Sequence, residues 1–327
     1  MISRLLPIFL TAPIFLIAQI FLISGTAAAE PVLVKARPIS LDAEAAGEQR
    51  VGDLIYRGGL ELTSSNSHFG GLSALAVSAD GRRLTTLSDR GFRFTLELVH
   101  GPNGRLVGVA AAEGARLLDL NGNPLRRKFD ADAESLARDN SGNELVGFEL
   151  RHRLWRYPAG GGRPVAMASM PGIGRLSSNN GLEAVAGLAD RRILAIAEGT
   201  DETGDHPGWI GNRSGWQRLS YASSSGYKPT AADRLPDGDI ILVERSFDLF
   251  ALFAVRVVRI DRETIIPGGR LSGHLIAAIR QPLSVDNFEG IAARQTTDGR
   301  TVIYLVSDDN FRAAQRTLLM MFELEEN

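Results

Sequence analysis

Carboxylates recur at two fixed places in a sequence unit that repeats about five times. In each unit a stretch of small residues leads to a turn and then to an apolar strand, and an acid follows where that strand ends. The first acidic column contains Glu134, Glu183 and Glu289, with Ser73 and Thr230 as its neutral members. The second acidic column contains Asp89, Glu149, Glu198, Glu244 and Asp308. Two such columns in a repeat protein predict rings of carboxylates.

The three glutamates of the first column are candidate metal ligands. Glu134, Glu183 and Glu289 each begin a strand of small apolar residues that suits a crowded centre, so we expect them around one axial mouth. Like charges there repel unless a cation, arginines or raised pKa values relieve them. Ca²⁺ fits best because it accepts several oxygens in irregular geometry, and the nearby amides could add ligands: Asn179, Asn180 and Asn287. Alternatively, these glutamates cap turns by accepting backbone N–H bonds.

Arginines follow several of the strand ends and suggest an anionic ligand. A guanidinium group binds phosphate bidentately, or it neutralises a neighbouring acid in a salt bridge, and the sequence leaves both roles open. With an anionic ester as substrate, Arg90, Arg245 and Arg312 would bind the charged group. Asp308 or Asp309 would then orient or deprotonate a water molecule.

The sequence pattern predicts that the segments carrying these residues are β-strands. Asp-Gly turns, as at Asp237-Gly238, are hairpin signals, and the apolar runs after them lack a helical period. The acids of the second column are separated by 60, 49, 46 and 64 residues, which is the spacing of four-stranded propeller blades. We predict an all-β, single β-propeller with six blades. Its sixth blade would join strands of residues 32–62 to a C-terminal strand of residues 317–323 and close the ring. Residues 199–228 read as a long insertion, either a lid or a plain surface excursion.

Composition excludes several classes of function. The 327 residues carry a formal charge of −2, from 36 basic and 38 acidic side chains, so no overall basic field attracts nucleic acid. Cysteine is absent, which removes disulfides, zinc-thiolate sites and cysteine nucleophiles. The five histidines show no metal-ligand spacing, and no serine-hydrolase elbow, zincin or P-loop motif occurs.

The first 29 residues resemble a secretory signal peptide. Arg4 precedes an apolar run, and a stretch of small residues ends at Ala29, where we expect cleavage. An uncleaved membrane anchor is the alternative, because the apolar run approaches the length that spans a bilayer. We expect residues 30–327 to form the propeller domain of a periplasmic or secreted protein with no membrane span after cleavage.

The chain resembles the bacterial phytase-like family, also described as "esterase-like activity of phytase". The matching segments span most of residues 30–327: Phe69-Gly-Gly-Leu-Ser-Ala-Leu75, Leu87-Ser-Asp-Arg-Gly91, Asp132-Ala-Glu-Ser-Leu136, Asn179-Asn-Gly-Leu-Glu-Ala184, Leu242-Val-Glu-Arg245, Asp286-Asn-Phe-Glu-Gly290 and Ser307-Asp-Asp-Asn-Phe311. The resemblance implies an exported β-propeller hydrolase, calcium-assisted, that acts on phosphate or other esters. It implies no catalytic role for any individual residue.

Three functions therefore remain open from the sequence. The first is a Ca²⁺-assisted esterase, phosphoesterase above all, with a small anionic ester as its substrate. The second is a calcium-dependent lactonase-type hydrolase, since a metal on the axis polarises a carbonyl as well as a phosphoryl oxygen. The third is a periplasmic binding propeller without enzymatic activity, because a fold alone does not settle function.

Cleavage of the leader is directly testable. Protein exported by a bacterial host should have Glu30 as its first residue, and an Ala29→Arg substitution should block processing because the peptidase accepts only small side chains there. Mass spectrometry of the exported protein measures both. Membrane-bound protein that retains residues 1–29 would instead indicate an anchor.

Overall fold

Each repeat of the sequence folds into an antiparallel sheet whose first strand lies nearest the axis. The computed structural model describes residues 28–45, 49–250 and 252–325. Within these residues 24 strands form five sheets, and one four-residue helix and two short 3₁₀ turns complete the regular structure. The prediction of an all-β propeller is confirmed.

The strands are numbered in chain order. The N-terminal segment supplies β1 (Glu30–Pro31), β2 (Val34–Ile39), β3 (Arg50–Val51) and β4 (Leu54–Ser64). The first repeat supplies β5 (Leu72–Val77), β6 (Arg83–Ser88), β7 (Phe92–His100) and β8 (Leu106–Arg116). After helix α1 (Lys128–Ala131), the second supplies β9 (Ala133–Arg138), β10 (Glu144–Phe148), β11 (Arg153–Tyr157) and β12 (Val165–Ala166).

The remaining strands belong to the third, fourth and fifth repeats. The third supplies β13 (Leu182–Gly187), β14 (Ile193–Ala197), β15 (His206–Asn212) and β16 (Gly215–Tyr221). The fourth supplies β17 (Lys228–Arg234), β18 (Ile240–Asp248), β19 (Leu252–Ile260), β20 (Arg270–Leu271) and β21 (His274–Arg280), of which β20 joins the third sheet. The fifth supplies β22 (Phe288–Gln295), β23 (Thr301–Ser307) and β24 (Thr317–Leu324).

The inner strands form a closed ring, and apolar clusters fill the spaces between the sheets. Strands β5, β9, β13, β17 and β22 each contact the next in that order, and β22 returns to β5. Five buried clusters lie in the five spaces between adjacent sheets. In β23, Ile303 and Leu305 face the fourth sheet, whereas Val302 and Tyr304 face the first. Strands buried on both faces, as their uninterrupted apolar runs predict, are what stack the sheets around the axis.

The chain termini close the ring within one sheet, as predicted. Strand β24 pairs with β23 on one edge and with β4 on the other, with Leu318 opposite Glu61 and Phe322 opposite Tyr56. Strand β2 extends the same sheet beyond β4, and β1 pairs with β8 of the neighbouring sheet. Because both neighbours of β24 are hydrogen-bonded to it, the C-terminal strand exposes no free edge.

Two details of the predicted architecture need correction. The terminal strands complete the sheet of the fifth repeat instead of building a sixth blade, so the described residues form five sheets. Residues 199–228 are also no insertion, because they contain β15 and β16, the third and fourth strands of the third sheet. Trp209 and Trp216 of this segment are buried in the core beside that sheet, so their side chains serve packing.

None of the described helices is long and apolar enough to span a bilayer. Residues 1–27 of the expected signal peptide lie outside the described residues.

The closing strand should dominate stability. Phe322 is fully buried and packs edge-on against Tyr56, with ring centroids 5.6 Å apart. A Phe322→Ala substitution should therefore lower the free energy of unfolding by about 3–5 kcal/mol, from lost burial and the cavity left behind. Phe129→Ala, at a side chain that is 50% exposed, should change it by less than about 0.5 kcal/mol. Urea unfolding measures both, and equal effects would contradict the closure.

Candidate functional site

The first acidic column lies at a bulge on every inner strand. In each of the five sheets the pairing between the first and second strands skips one residue of the inner strand, and the skipped residues are the column itself: Ser73, Glu134, Glu183, Thr230 and Glu289. A bulge frees one residue from the ladder and redirects its side chain, which is why bulges are common beside active sites. The repeat in the sequence therefore corresponds to a repeated backbone distortion.

The second acidic column is fixed by a repeated backbone hydrogen bond. In four repeats the amide of the second-column acid donates to the carbonyl two residues before the bulge, at 2.8–3.0 Å: Asp89 to Gly71, Glu149 to Asp132, Glu198 to Gly181 and Asp308 to Asn287. This bond ties the end of the second strand to the start of the first. The two columns are thereby brought to the same end of the ring.

The three acids of the first column and four of the five acids of the second line one axial cavity of about 350 Å³. Eight carboxylates line it, against the cationic groups of Lys128 and Arg245: Asp89, Asp132, Glu134, Glu149, Glu183, Glu198, Glu289 and Asp308. The predicted gathering of Glu134, Glu183 and Glu289 at one mouth is present, and Asn179 lies with them. Excess negative charge in a partly desolvated space makes this cavity attractive to a cation.

The two cationic side chains neutralise only part of the cavity. Arg245 donates to Glu198 at 3.0 Å and also pairs with Glu289 and with the side chain of Asn287. Lys128 donates to Asp89 at 2.8 Å and pairs with Asp132. Among the described residues, no lysine or arginine forms an ion pair with Glu134, Glu149 or Glu183.

Two of these unpaired acids form, with the Lys128 partner Asp132, a cluster with the geometry of a cation site. Carboxylate oxygens of Asp132, Glu134 and Glu149 all lie within 4.8 Å of one another. Sequence reasoning placed Glu134 among the ligands but gave no such role to Asp132 or Glu149. Their signal was available, since Asp132 lies two residues before Glu134 and Glu149 belongs to the second column, but only the fold shows that they meet.

The two predicted catalytic aspartates have different surroundings. Asp308 is buried, lines the cavity and accepts a hydrogen bond from the Asn310 amide at 2.6 Å. Asp309 does not line it, and its carboxylate accepts hydrogen bonds from the Gly71 amide, the Phe311 amide and the Thr317 hydroxyl, each at 3.0 Å. Gly71 has φ of 58°, and a side chain there would collide with Asp89. Asp309 thus joins the fifth sheet to the first.

The predicted arginines are distributed over three environments. Arg245 lines the cavity, whereas the Arg90 guanidinium stacks on the Phe311 ring, 3.3 Å from its centroid. Arg312 lies in an adjoining pocket. Glu244 of the second column also lies outside the cavity, fully buried, where it accepts hydrogen bonds from the Tyr221 hydroxyl at 2.7 Å and the Ser224 amide at 2.9 Å.

Burial and mutual repulsion raise the pKa values of the cavity acids. Burial, followed by the charges of neighbouring carboxylates, raises the pKa of Glu134 and of Glu183 well above the usual range. Burial together with the charge of Glu289 does the same to the pKa of Asp308. Burial raises the pKa of Glu149 to about 7, although the hydrogen bond from the Gly181 amide opposes the shift. These groups therefore hold their protons to higher pH than ordinary carboxyl groups do, unless a cation replaces the protons.

Comparison with known proteins assigns the family. The model of the phytase-like family, described as "esterase-like activity of phytase", matches residues 67–311. The chain belongs to the phytase-like family. This family assignment supports a hydrolase-type function on a propeller scaffold. The search of curated proteins found no match to the sequence.

Solved structures similar to this phytase-like protein are distant in sequence. A putative gluconolactonase is 12% identical with a TM-score of 0.42, covering 92% of this chain and 94% of its own. A protein of unknown function from Dyadobacter fermentans is 12% identical with a TM-score of 0.42, at 91% and 94% coverage. A β-propeller domain from Myceliophteria thermophila is 10% identical with a TM-score of 0.42, at 90% and 100% coverage.

The raised pKa values make stability depend on pH. Between pH 4.5 and about 7 the folded protein binds more protons at Glu149 than the unfolded chain does, so stability should fall as pH rises through that window. With a chelator present, we expect a lower free energy of unfolding at pH 7.5 than at pH 5. Glu149→Gln should reduce this difference, and the exposed-site substitution Glu202→Gln should leave it unchanged. Urea unfolding at both pH values would refute the expectation if Glu149→Gln retained the full difference.

Proposed function

We propose that this protein is an exported hydrolase of phosphate or other esters that works with a divalent cation, Ca²⁺ in the first instance, in the axial cavity. The observation that carries the proposal is the excess of carboxylates over cationic side chains at that place. A bound cation relieves such repulsion without protonating the acids, and acids with strongly shifted pKa values cluster at functional sites. The family description adds the ester class.

The donor atoms suit a hard cation. Oxygens of Asp132, Glu134 and Glu149 lie close enough to share one ion, with Glu183 and the Asn179 amide in the same cavity. Ca²⁺ accepts six to eight such oxygens at irregular angles, whereas zinc prefers nitrogen and sulfur. Glu289 is the third metal ligand expected from the sequence. Because Glu289 pairs with Arg245, its carboxylate is less available to coordinate the cation directly. When bound, the cation would polarise a phosphoryl or carbonyl oxygen and offset developing negative charge.

The chain's own residues supply the remaining roles. Arg245 lines the cavity, where its hydrogen-bond donors would bind the anionic group of the substrate. Ion pairs with Glu289 and Glu198 hold its guanidinium group in place. We assign the general base to Asp308, because Asp309 is already committed to three donors. The raised pKa of Asp308 makes its carboxylate a stronger base than that of an ordinary aspartate, which favours proton transfer. As water attaches to the phosphorus or acyl carbon, Asp308 takes its proton, the ester bond breaks, and that proton becomes available to the departing alkoxide.

The proposed location of the protein rests on the resemblance of residues 1–29 to a signal peptide. We propose that the protein acts in the periplasm or outside the cell, after cleavage at Ala29, on a small anionic ester. Calcium concentrations in such compartments suit the weaker class of calcium sites.

Cation binding and turnover are tested together. Calorimetry should detect Ca²⁺ binding to the wild type, and Glu134→Gln should weaken it at least about tenfold because one charged ligand is lost. Saturating Ca²⁺ should raise the free energy of unfolding by about 2.7 kcal/mol at 100 times Kd. Glu134→Gln should retain the fold and lose hydrolysis, while the control Glu202→Gln keeps both.

The substrate class is tested by assaying a phosphate ester, a carboxylic ester and a lactone, each with and without Ca²⁺. We expect calcium-dependent hydrolysis of p-nitrophenyl phosphate or p-nitrophenyl acetate. Turnover of a δ-lactone alone would favour the lactonase-type alternative. Ligand binding without turnover of any of the three would favour a binding propeller, and the absence of Ca²⁺ binding would refute the metal site.

A further inference from the structure

A second pocket, of about 650 Å³, adjoins the axial cavity. The two spaces share Arg245, Glu289 and Asn310 in their walls. A molecule whose reactive bond lies beside Asp308 and Glu289 can therefore extend into this second pocket. The proposed function assigns no role to this extension of the site.

One wall of the second pocket is apolar and open to solvent. Phe247 and Phe253, on the paired strands β18 and β19, pack together with ring centroids 4.9 Å apart. Leu252 and Val285 continue this wall, and 57% of Phe247 and 43% of Leu252 remain exposed. Val285 packs against the buried core, whereas Phe247, Leu252 and Phe253 belong to none of the core clusters. A concave apolar wall beside polar groups is the usual form of a small-molecule site.

The polar part of the lining contains three arginines and two carboxylates. Arg312 lines the pocket, and no carboxylate among the described residues pairs with its guanidinium group. Arg316 lies beside it, 3.7 Å from Asp286, and Gln315 adds a neutral polar group. An unpaired guanidinium group in the same pocket as an apolar wall complements a ligand that has both an anionic and an apolar part.

The geometry points to a substrate with an aromatic or branched alkyl group, which binds between the hairpin wall and Arg312 while the ester faces the axial cavity. This inference rests on the proposed function for the position of the ester. It deepens that function, because it favours an amphipathic ester over a fully polar polyol phosphate. A polyol would leave Phe247 and Leu252 uncovered and gain nothing from them.

Binding tests the pocket without requiring turnover. With Ca²⁺ present, calorimetry should give phenylphosphonate a Kd about tenfold lower than methylphosphonate, since only the phenyl ring covers the apolar wall. Phe247→Ser should abolish most of this ratio. Phe250→Ser is the matched control: it removes an aromatic ring, 97% exposed, from the same hairpin but outside the pocket lining, and it should retain the ratio.

The outcomes separate the inference from the proposed function. Equal Kd values for the two phosphonates, or equal effects of Phe247→Ser and Phe250→Ser, would overturn the pocket assignment. If the ratio depends on Phe247 but no ester is hydrolysed, the pocket stands and the hydrolase proposal fails. If phenyl phosphate and glycerol phosphate are hydrolysed with equal kcat/KM, the hydrolase proposal stands and the preference for an apolar group is wrong.

Discussion

Repulsion among acids held at the axis is the constraint on which the site depends. Eight carboxylates face one small cavity, and burial strengthens every interaction between them. They stay together because the inner strands carrying them are packed on both faces and belong to a ring with no loose end. The apolar clusters between the sheets therefore hold in place a charge arrangement that is unfavourable by itself.

The cavity resolves this repulsion unevenly. Arg245 and Lys128 form ion pairs with one acid in each of the first, second, third and fifth repeats. Glu134, Glu149 and Glu183, which belong to the second and third repeats, have no ion pair among the described residues. The neutral members of the first column add to this asymmetry. Ser73 and Thr230 donate to carbonyls of the next repeat at 2.5 and 3.0 Å, so two of the five bulges serve structure alone. The cavity acids without a cationic partner therefore lie in two neighbouring repeats, the second and the third.

Closure of the ring and assembly of the site are coupled through the fifth sheet. That sheet contains Glu289 on its inner strand and Asp308 at the end of its second strand, and its third strand is the closing strand β24. Asp309 links it to the first sheet through the Gly71 amide. Pairing of the chain ends therefore positions two cavity acids, and the adjoining apolar pocket opens beside the same sheet.

The sequence determined which residues repeat, and the tertiary structure decided which of them act together. Uninterrupted apolar runs with Asp-Gly turns were sufficient to predict stacked sheets, because a strand buried on both faces needs a neighbour on each side. The equivalent positions of Glu134, Glu183 and Glu289 were sufficient to predict their convergence. The number of sheets could not be predicted from the sequence, because the terminal strands could have built a separate blade or completed an existing one. The cluster of Asp132, Glu134 and Glu149 forms within the second repeat, where the bulge at Glu134 and the bond from the Glu149 amide to Asp132 bring the three together. The ion pair that occupies Glu289 and the structural role of Asp309 depend instead on distances between different repeats. Such distances are fixed by packing around the ring, which no local pattern encodes.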